Sequence, residues 1–352
     1  RVFMARTRNG WKLMPGGFAR LAATSQDPSA VSLRSGGTVA DVWVVSDEPV
    51  SEDTMLSHTD EVFVRTSPGL LPSRAADNLF WLGRYVERAE GQMRLTRAYM
   101  SRLPETPAGG TPLMSRLETY LDAEGLEITE GVSATVERTI AMAVNAANQV
   151  RDRFSVDAWA SLADLERTVG NMRRTVVPGD DAASAMGVLL RKISGFSGLV
   201  HENMYRFSGW RFLTIGRSLE RAIAMADLLS AFAEWSGPHG GFELCVEVGD
   251  SVMTHRRRYS VETNRNTVID LLALDPDNPR SIIYQINQLR EQEAHLSRRD
   301  PQPRLSDFAR RILQLQTDLT IATPESLTTE RLTGIRGDIG DISDALTAQY
   351  LS

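Results

Sequence analysis

Two seven-residue segments of the chain carry the same charged groups at the same spacing. Gly83-Arg84-Tyr85-Val86-Glu87-Arg88-Ala89 and Gly216-Arg217-Ser218-Leu219-Glu220-Arg221-Ala222 share G-R-x-x-E-R-A, each preceded by an aliphatic residue, Leu82 or Ile215. A glutamate between two arginines can act as an acid or base, or it can be half of an ion pair beside forks that take carboxylate or phosphate. On a helix, the Arg/Glu/Arg trio falls on the side opposite the aliphatic stripe. Left in solvent, such a trio makes i,i+3 pairs worth about 0.2–0.5 kcal/mol each. Inside a bundle each Glu must be paired, and Arg84 and Arg88 with Glu87, and Arg217 and Arg221 with Glu220, can supply the pairing. The repeat therefore predicts two helices that face one another with both carboxylates buried, Gly83 and Gly216 permitting close approach.

Three further polar clusters qualify as candidates. His201, Glu202, Asn203 and Arg206 precede Trp210-Arg211. Arg256, Arg257, Arg258 and Tyr259 close a predicted helix, where cations suit the macrodipole. Asn278-Pro279-Arg280-Ser281 opens another, with Asn278 as its N-cap and Arg280 left without a structural explanation. Arg256, Arg258 and Arg280 are expected to form an anion-accepting patch. If the chain is catalytic, Glu87, Glu220 or Glu202 is the acid or base, and convergence of those carboxylates on a concave pocket would separate that reading from closed ion pairs.

Familiar chemistry is missing. There is no P-loop and no dinucleotide fingerprint, and His201-Glu202-Asn203-Met204-Tyr205 lacks the second imidazole of a zinc-protease helix. His58, His239, His255 and His295 show no ligand spacing, so no metal site is expected. The single Cys245, in an apolar segment, reads as a small buried hydrophobe; it excludes an internal disulfide and points to a reducing, cytoplasmic compartment. With 45 acidic against 39 basic side chains the net charge is −6, which speaks against nucleic acid or an anionic membrane as partner. No apolar run is long enough to span a bilayer. All basic residues except Lys12 and Lys192 are arginine, either a codon preference or a supply of planar forks.

The elements that must position these groups change character along the chain. Up to about residue 50, short apolar runs alternate around Asn9-Gly10, Gly16-Gly17 and Gly36-Gly37, which reads as β-structure with a hairpin at Asn9-Gly10. The chain opens inside a strand-like run at Arg1, as a fragment of a longer protein would. A polar, Pro-bearing linker follows over 51–71, and 72–352 is expected to be mainly all-α, a multi-helix bundle of about ten helices. Helices are predicted over 79–96, 133–153, 156–175, 182–207, 209–235, 241–259, 262–273, 279–297, 304–322 and 326–350. Asn278-Pro279 and Thr323-Pro324 read as helix starts.

Several of these residues also carry a family likeness. Asn78 to Glu90, His201-Glu202-Asn203-Met204, Trp210 to Leu213, Gly216-Arg217, Glu220-Arg221-Ala222, Tyr259 and Asn278 to Ser281 resemble the bacterial alpha-E domain, a domain of unknown function. Residues 1–50, notably Trp11-Lys12, Met14 to Arg20 and Asp41-Val42-Trp43-Val44, resemble the last strands of a circularly permuted ATP-grasp domain, with Ala40 where many members carry Lys. The resemblance implies a fused parent that uses Mg-ATP to activate a carboxylate and pass it to an amine. It also implies transglutaminase-like and proteasome-like peptidase neighbours. The helical part would then hold a peptide or amino-acid-like substrate or dock a partner. A catalytic helical domain and a purely structural bundle are the alternatives, and the fragment by itself needs no cofactor.

Overall fold

In the computed structural model of the chain, residues 3–7, 10–14, 16–21, 38–47, 71–260, 262–297 and 304–351 are described. They belong to two units, Arg1–Gly69 and Leu70–Ser352. In the first, β1 (Met4–Thr7) pairs antiparallel with β2 (Gly10–Leu13), Thr7 opposite Gly10. This is the hairpin that Asn9-Gly10 predicts; Gly10 has φ 109°, a region that favours glycine. Strand β3 (Gly16–Leu21) pairs antiparallel with β4 (Thr38–Trp43). Asn9, Gly36-Gly37 and all of the expected linker except Leu71 lie outside the described residues.

The second unit is helical: α1 (Ser73–Met100), α2 (Pro112–Ala123), α3 (Ala134–Gln149), α4 (Val156–Thr175), α5 (Asp180–Asn203), α6 (Ser208–Phe232), α7 (Gly241–Val248), α8 (Val252–Arg258), α9 (Arg265–Ile269), α10 (Ile282–Ser297), α11 (Asp307–Ile321) and α12 (Thr329–Leu346). The predicted stripe of α1, Leu79, Leu82, Val86, Ala89 and Met93, is fully buried, as is Phe212, Ile215, Leu219, Ala222, Ala226 and Leu229 of α6. Burial at three- and four-residue spacing is what makes these segments helices rather than strands.

The packing repeats as the sequence does. Helix α1 packs on α3 and α5, and α4 closes the square by packing on both; α6 packs on α10 and α12, and α11 closes that square likewise. The two squares are joined chiefly through α1 and α6, the two G-R-x-x-E-R-A helices. Each repeat helix is therefore covered on its apolar stripe by its own square and on its charged side by the other repeat.

Several boundaries differ from expectation. Helix α2 is not among the predicted segments, although Thr111 caps it by accepting from the Met114 amide at 3.2 Å and Pro112 takes the first helical position. The segment 241–259 is two helices, broken at Gly249-Asp250, where Asp250 has φ 51°. Neither Asn278-Pro279 nor Thr323-Pro324 starts a helix. Residues 278–281 and 323–326 form turns, in which the Ser281 amide donates to the Asn278 carbonyl at 2.9 Å and the Ser326 amide to the Thr323 carbonyl at 3.0 Å. The capping hydroxyls are those of Ser281 and Thr328 further on. Pro after a capping residue fits a turn as well as a first helical position, which is why the spacing misleads.

Candidate functional site

Helices α1 and α6 touch backbone to backbone where the repeats begin. A Cβ on Gly83 would lie 2.2 Å from the Leu213 carbonyl oxygen, and one on Gly216 would lie 2.1 Å from that of Phe80. Both are closer than any real contact and both neighbours are backbone, so only glycine allows this crossing. It brings the two charged trios together one turn later.

The pairing is crossed, which corrects the expectation that each glutamate pairs within its own helix. Glu87 accepts from Arg221 of the opposite helix, Nε to Oε1 at 2.5 Å and Nη2 to Oε2 at 2.7 Å, and from Arg217 at 3.4 Å. Glu220 accepts from Arg88 at 2.6 Å and from Arg84 at 2.7 Å. Each glutamate thus bonds two arginines of the other repeat, in matching positions. Glu87 is 5% and Glu220 7% exposed, so both carboxylates are buried as predicted. Arg84 also lies over the Trp81 ring, 5.5 Å from its centroid, and donates to Ser343 of α12.

A second layer, unforeseen in the sequence, extends the seam. Glu90 accepts from Arg94 at 2.8 Å and from Arg280 at 2.5 Å; Arg280 also approaches Glu87 at 3.6 Å, and Arg94 approaches Asp250 at 3.1 Å. Burial raises the Glu90 carboxyl, but the pull of Arg280, Arg221 and Arg94 outweighs it and holds the group well below the usual carboxylate range. Burial, and then its cationic neighbour Arg221, draws the Arg280 guanidinium below its ordinary value despite Glu90 and Glu87. Glu90 and Arg94 stand at i,i+4, the one signal in the sequence that points to them, but that spacing is equally common on solvated faces.

Six guanidiniums, of Arg84, Arg88, Arg94, Arg217, Arg221 and Arg280, meet four carboxylates, of Glu87, Glu90, Glu220 and Asp250. The seam borders a half-open cleft with about 100 Å³ of room, walled by α1, α2, α6, Val248 and Arg280. Arg88, Arg94, Arg221 and Arg280 line it beside Glu87 and Glu220, and Leu95, Met225 and Leu228 supply apolar wall. On the α2 side it is lined by Tyr120, Glu124 and Asp227. Loss of water, with the negative charge of Asp227 and Glu220, raises the Glu124 carboxyl; burial raises Asp227 against its ion pair with Arg336.

Residues 71–351 match the Alpha-E family, described as a predicted alpha-helical domain with a conserved ER motif. The chain belongs to this family. Two Glu-Arg pairs of this Alpha-E chain, Glu87-Arg88 and Glu220-Arg221, are the centre of the crossed seam. Uncharacterized proteins of Mycobacterium bovis and Mycobacterium tuberculosis are each 26% identical to the chain over 407 aligned residues, covering 100% of it and 45% of their own length. The chain thus spans about half the length of the curated relatives it matches. No solved structure matches it.

The remaining predicted residues lie outside the Alpha-E seam. His201, Glu202 and Asn203 are exposed at the end of α5, and the exposed Arg206 stacks on Trp210 at 4.2 Å and donates to the His201 carbonyl. Arg211 donates to Gln292 of α10 at 2.9 Å. The expected patch of Arg256, Arg258 and Arg280 is not a unit. Arg280 belongs to the seam, Arg258 pairs with the buried Asp275 at 3.4 Å, and Arg256 is exposed on α8. Tyr259 donates to Asp270 at 2.5 Å, and burial followed by that bond raises its hydroxyl. Asn278 is a buried tie, donating to the Leu271 carbonyl at 2.8 Å and accepting from the Arg280 amide at 3.0 Å, so it orients Arg280 instead of capping a helix. Cys245 is buried and burial raises its thiol, which makes it a poor nucleophile. Among the described residues no group of His, Cys, Asp and Glu is placed to hold a metal, and no helix is long and apolar enough to cross a membrane.

Proposed function

We propose that this chain is the helical module of an amide- or peptide-ligase-like protein, and that its cleft holds a carboxylate- or peptide-type substrate. The observation that carries the reading is the meeting of two cleft-lining guanidiniums, of Arg94 and Arg280, at one carboxylate, that of Glu90, on one side of an open cleft. A guanidinium carries five N–H donors, so Arg94, which meets Glu90 and Asp250, and Arg280, which meets Glu90 and Glu87, retain N–H groups for an incoming anion. The resemblance of residues 1–50 to the end of a permuted ATP-grasp domain supports the ligase context. In that context Mg-ATP is used by the longer parent, and the peptidase- and transglutaminase-like neighbours act on related peptides.

The catalytic alternative is weaker because both oxygens of Glu87 and both of Glu220 accept from arginine, so neither is poised to take a proton from a substrate. Glu202 is exposed on a helix end away from the cleft lining. Calorimetric titration of the chain with N-acetyl-alanyl-alanine, which has a free carboxylate and no amine, tests the reading. Binding is expected, weakened about tenfold or more by Arg280→Lys, which keeps the charge and loses the fork. No binding would leave the seam as a purely structural device.

A further inference from the structure

The cleft of the seam is charged oppositely at its two sides. Arg94, Arg221 and Arg280 line it near Glu90, whereas Glu124, the C-cap of α2, and Asp227 of α6 line it together with Arg88, whose guanidinium is taken up by Glu220. Asp227 is met by Arg336 at 2.9 Å, but no ion pair among the described residues neutralises Glu124. Gln92 lines the same cleft. It is 95% buried by its 5% exposure, and its carbonyl Oε1 has no hydrogen-bond partner. An unpaired buried amide oxygen is costly, and a ligand bearing N–H donors would relieve it.

The position of Gln92 on α1 is informative. It stands one turn beyond Arg88, which holds Glu220, and on the side that leads to Tyr99, whose hydroxyl donates to Glu118 of α2 at 2.9 Å. That face looks toward α2, the helix whose C-cap is Glu124, and away from Arg94 and Arg280. Gln92, Glu124 and Asp227 therefore share the acceptor-rich side of the cleft, where the one guanidinium, that of Arg88, is already bonded to Glu220, and the other three arginines share the donor-rich side.

We propose that the acceptor-rich side receives the protonated amino group of an amino acid or peptide, with Gln92 Oε1, Glu124 and Asp227 as its acceptors. An ammonium group is all donor and can offer one N–H to each of three acceptors, which complements an amide oxygen and two carboxylates lining one cleft. A divalent cation, which gathers six or more oxygens, fits less well, since the lining offers one amide oxygen and two carboxylates, of which Asp227 is already paired with Arg336. This inference rests on the proposed carboxylate-holding role of the arginine side and deepens it: the preferred ligand is a zwitterion whose amine lies opposite its carboxylate, with Leu95, Met225 and Leu228 beside its aliphatic part.

The test uses the whole chain and three probes: alanyl-alanine, N-acetyl-alanyl-alanine and alanyl-alanine amide. Alanyl-alanine is expected to bind about tenfold or more tightly than its N-acetyl form, as expected for charge-assisted hydrogen bonds. Glu124→Gln and Gln92→Met should each reduce that preference while leaving the N-acetyl peptide unaffected. The Glu124 residue is open to solvent although the cleft shields part of its carboxyl, and changing it strands no ion-pair partner, so its variant will fold even if that of Gln92 does not. Equal affinity of the free and acetylated peptides, or a preference that survives in folded Glu124→Gln, overturns the amine site and leaves the carboxylate reading standing. Binding of the amide probe without binding of either carboxylate peptide upholds the amine site and overturns the carboxylate reading. Failure of all three probes overturns both.

Discussion

At the scale of single residues, the crossed pairs explain why the glutamates of the repeat are buried at all. A carboxylate taken out of water must be met by cations with good geometry, and each of Glu87 and Glu220 bonds two arginines of the other helix. Glu87→Ala should therefore cost about 3 kcal/mol or more by stranding Arg221 and Arg217, which a shift of the urea midpoint would report. Glu202→Ala, at an exposed carboxylate, should stay within about 0.5 kcal/mol. An equal, small effect of both substitutions would mean that the seam is solvated in solution. The burial of these two glutamates was legible in the sequence from the repeat. The choice of partner was not, because pairing within a helix and pairing across two helices use the same residues at the same spacing.

At the scale of elements, the crossing of α1 and α6 depends on two glycines. In Gly83→Ala the new methyl group meets the Leu213 carbonyl at 2.2 Å, and since backbone cannot turn aside the helices must part. A loss of about 3 kcal/mol is expected in thermal or urea melts. Gly195→Ala in α5 meets nothing within 4 Å and should instead gain about 0.5–1 kcal/mol from the lower helix propensity of glycine. The contrast is the check, since two helical glycines that look alike in sequence should move stability in opposite directions. Helix starts show a similar divide. Thr111-Pro112 begins α2, whereas Asn278-Pro279 and Thr323-Pro324 form turns. Local chemistry permits both outcomes, and the packing of the residues beyond the proline selects one.

At the scale of the whole chain, acid should loosen the joint between the two helical squares. Glu90 is held well below its ordinary value of 4.5 by Arg280, Arg221 and Arg94 against the opposing effect of burial. A carboxyl depressed in the folded state contributes stability that is complete above its unfolded value and is lost as pH falls through that value toward the folded one. Denaturant midpoints should thus be level near neutral pH and decline below about pH 4.5, and Glu90→Gln should flatten that decline. The helical unit has no phosphate loop and residues 1–50 have no acidic pair at ligand spacing, so calorimetry with Mg-ATP should show no micromolar binding to this chain. Micromolar binding abolished by changing Arg94 or Arg280 would make the cleft a nucleotide site and displace the ligand class proposed for it.

By itself the sequence determined the helical class, the β-rich first segment, the apolar stripes of α1 and α6 and the family, because each depends on a period or a motif carried by neighbouring residues. Tertiary structure alone decided that Glu87 is held by Arg217 and Arg221, that Arg280 joins Glu90 and not Arg258, and that His201, Glu202 and Asn203 stand apart on an exposed helix end. It also decided the cleft, which brings Gln92, Glu124 and Arg280 to one hollow from three distant stretches of chain. The physical reason is range. Periodicity and capping act over one or two helical turns, whereas a buried charge is satisfied by whichever opposite charge the packed core leaves within reach, however far away it lies in the sequence.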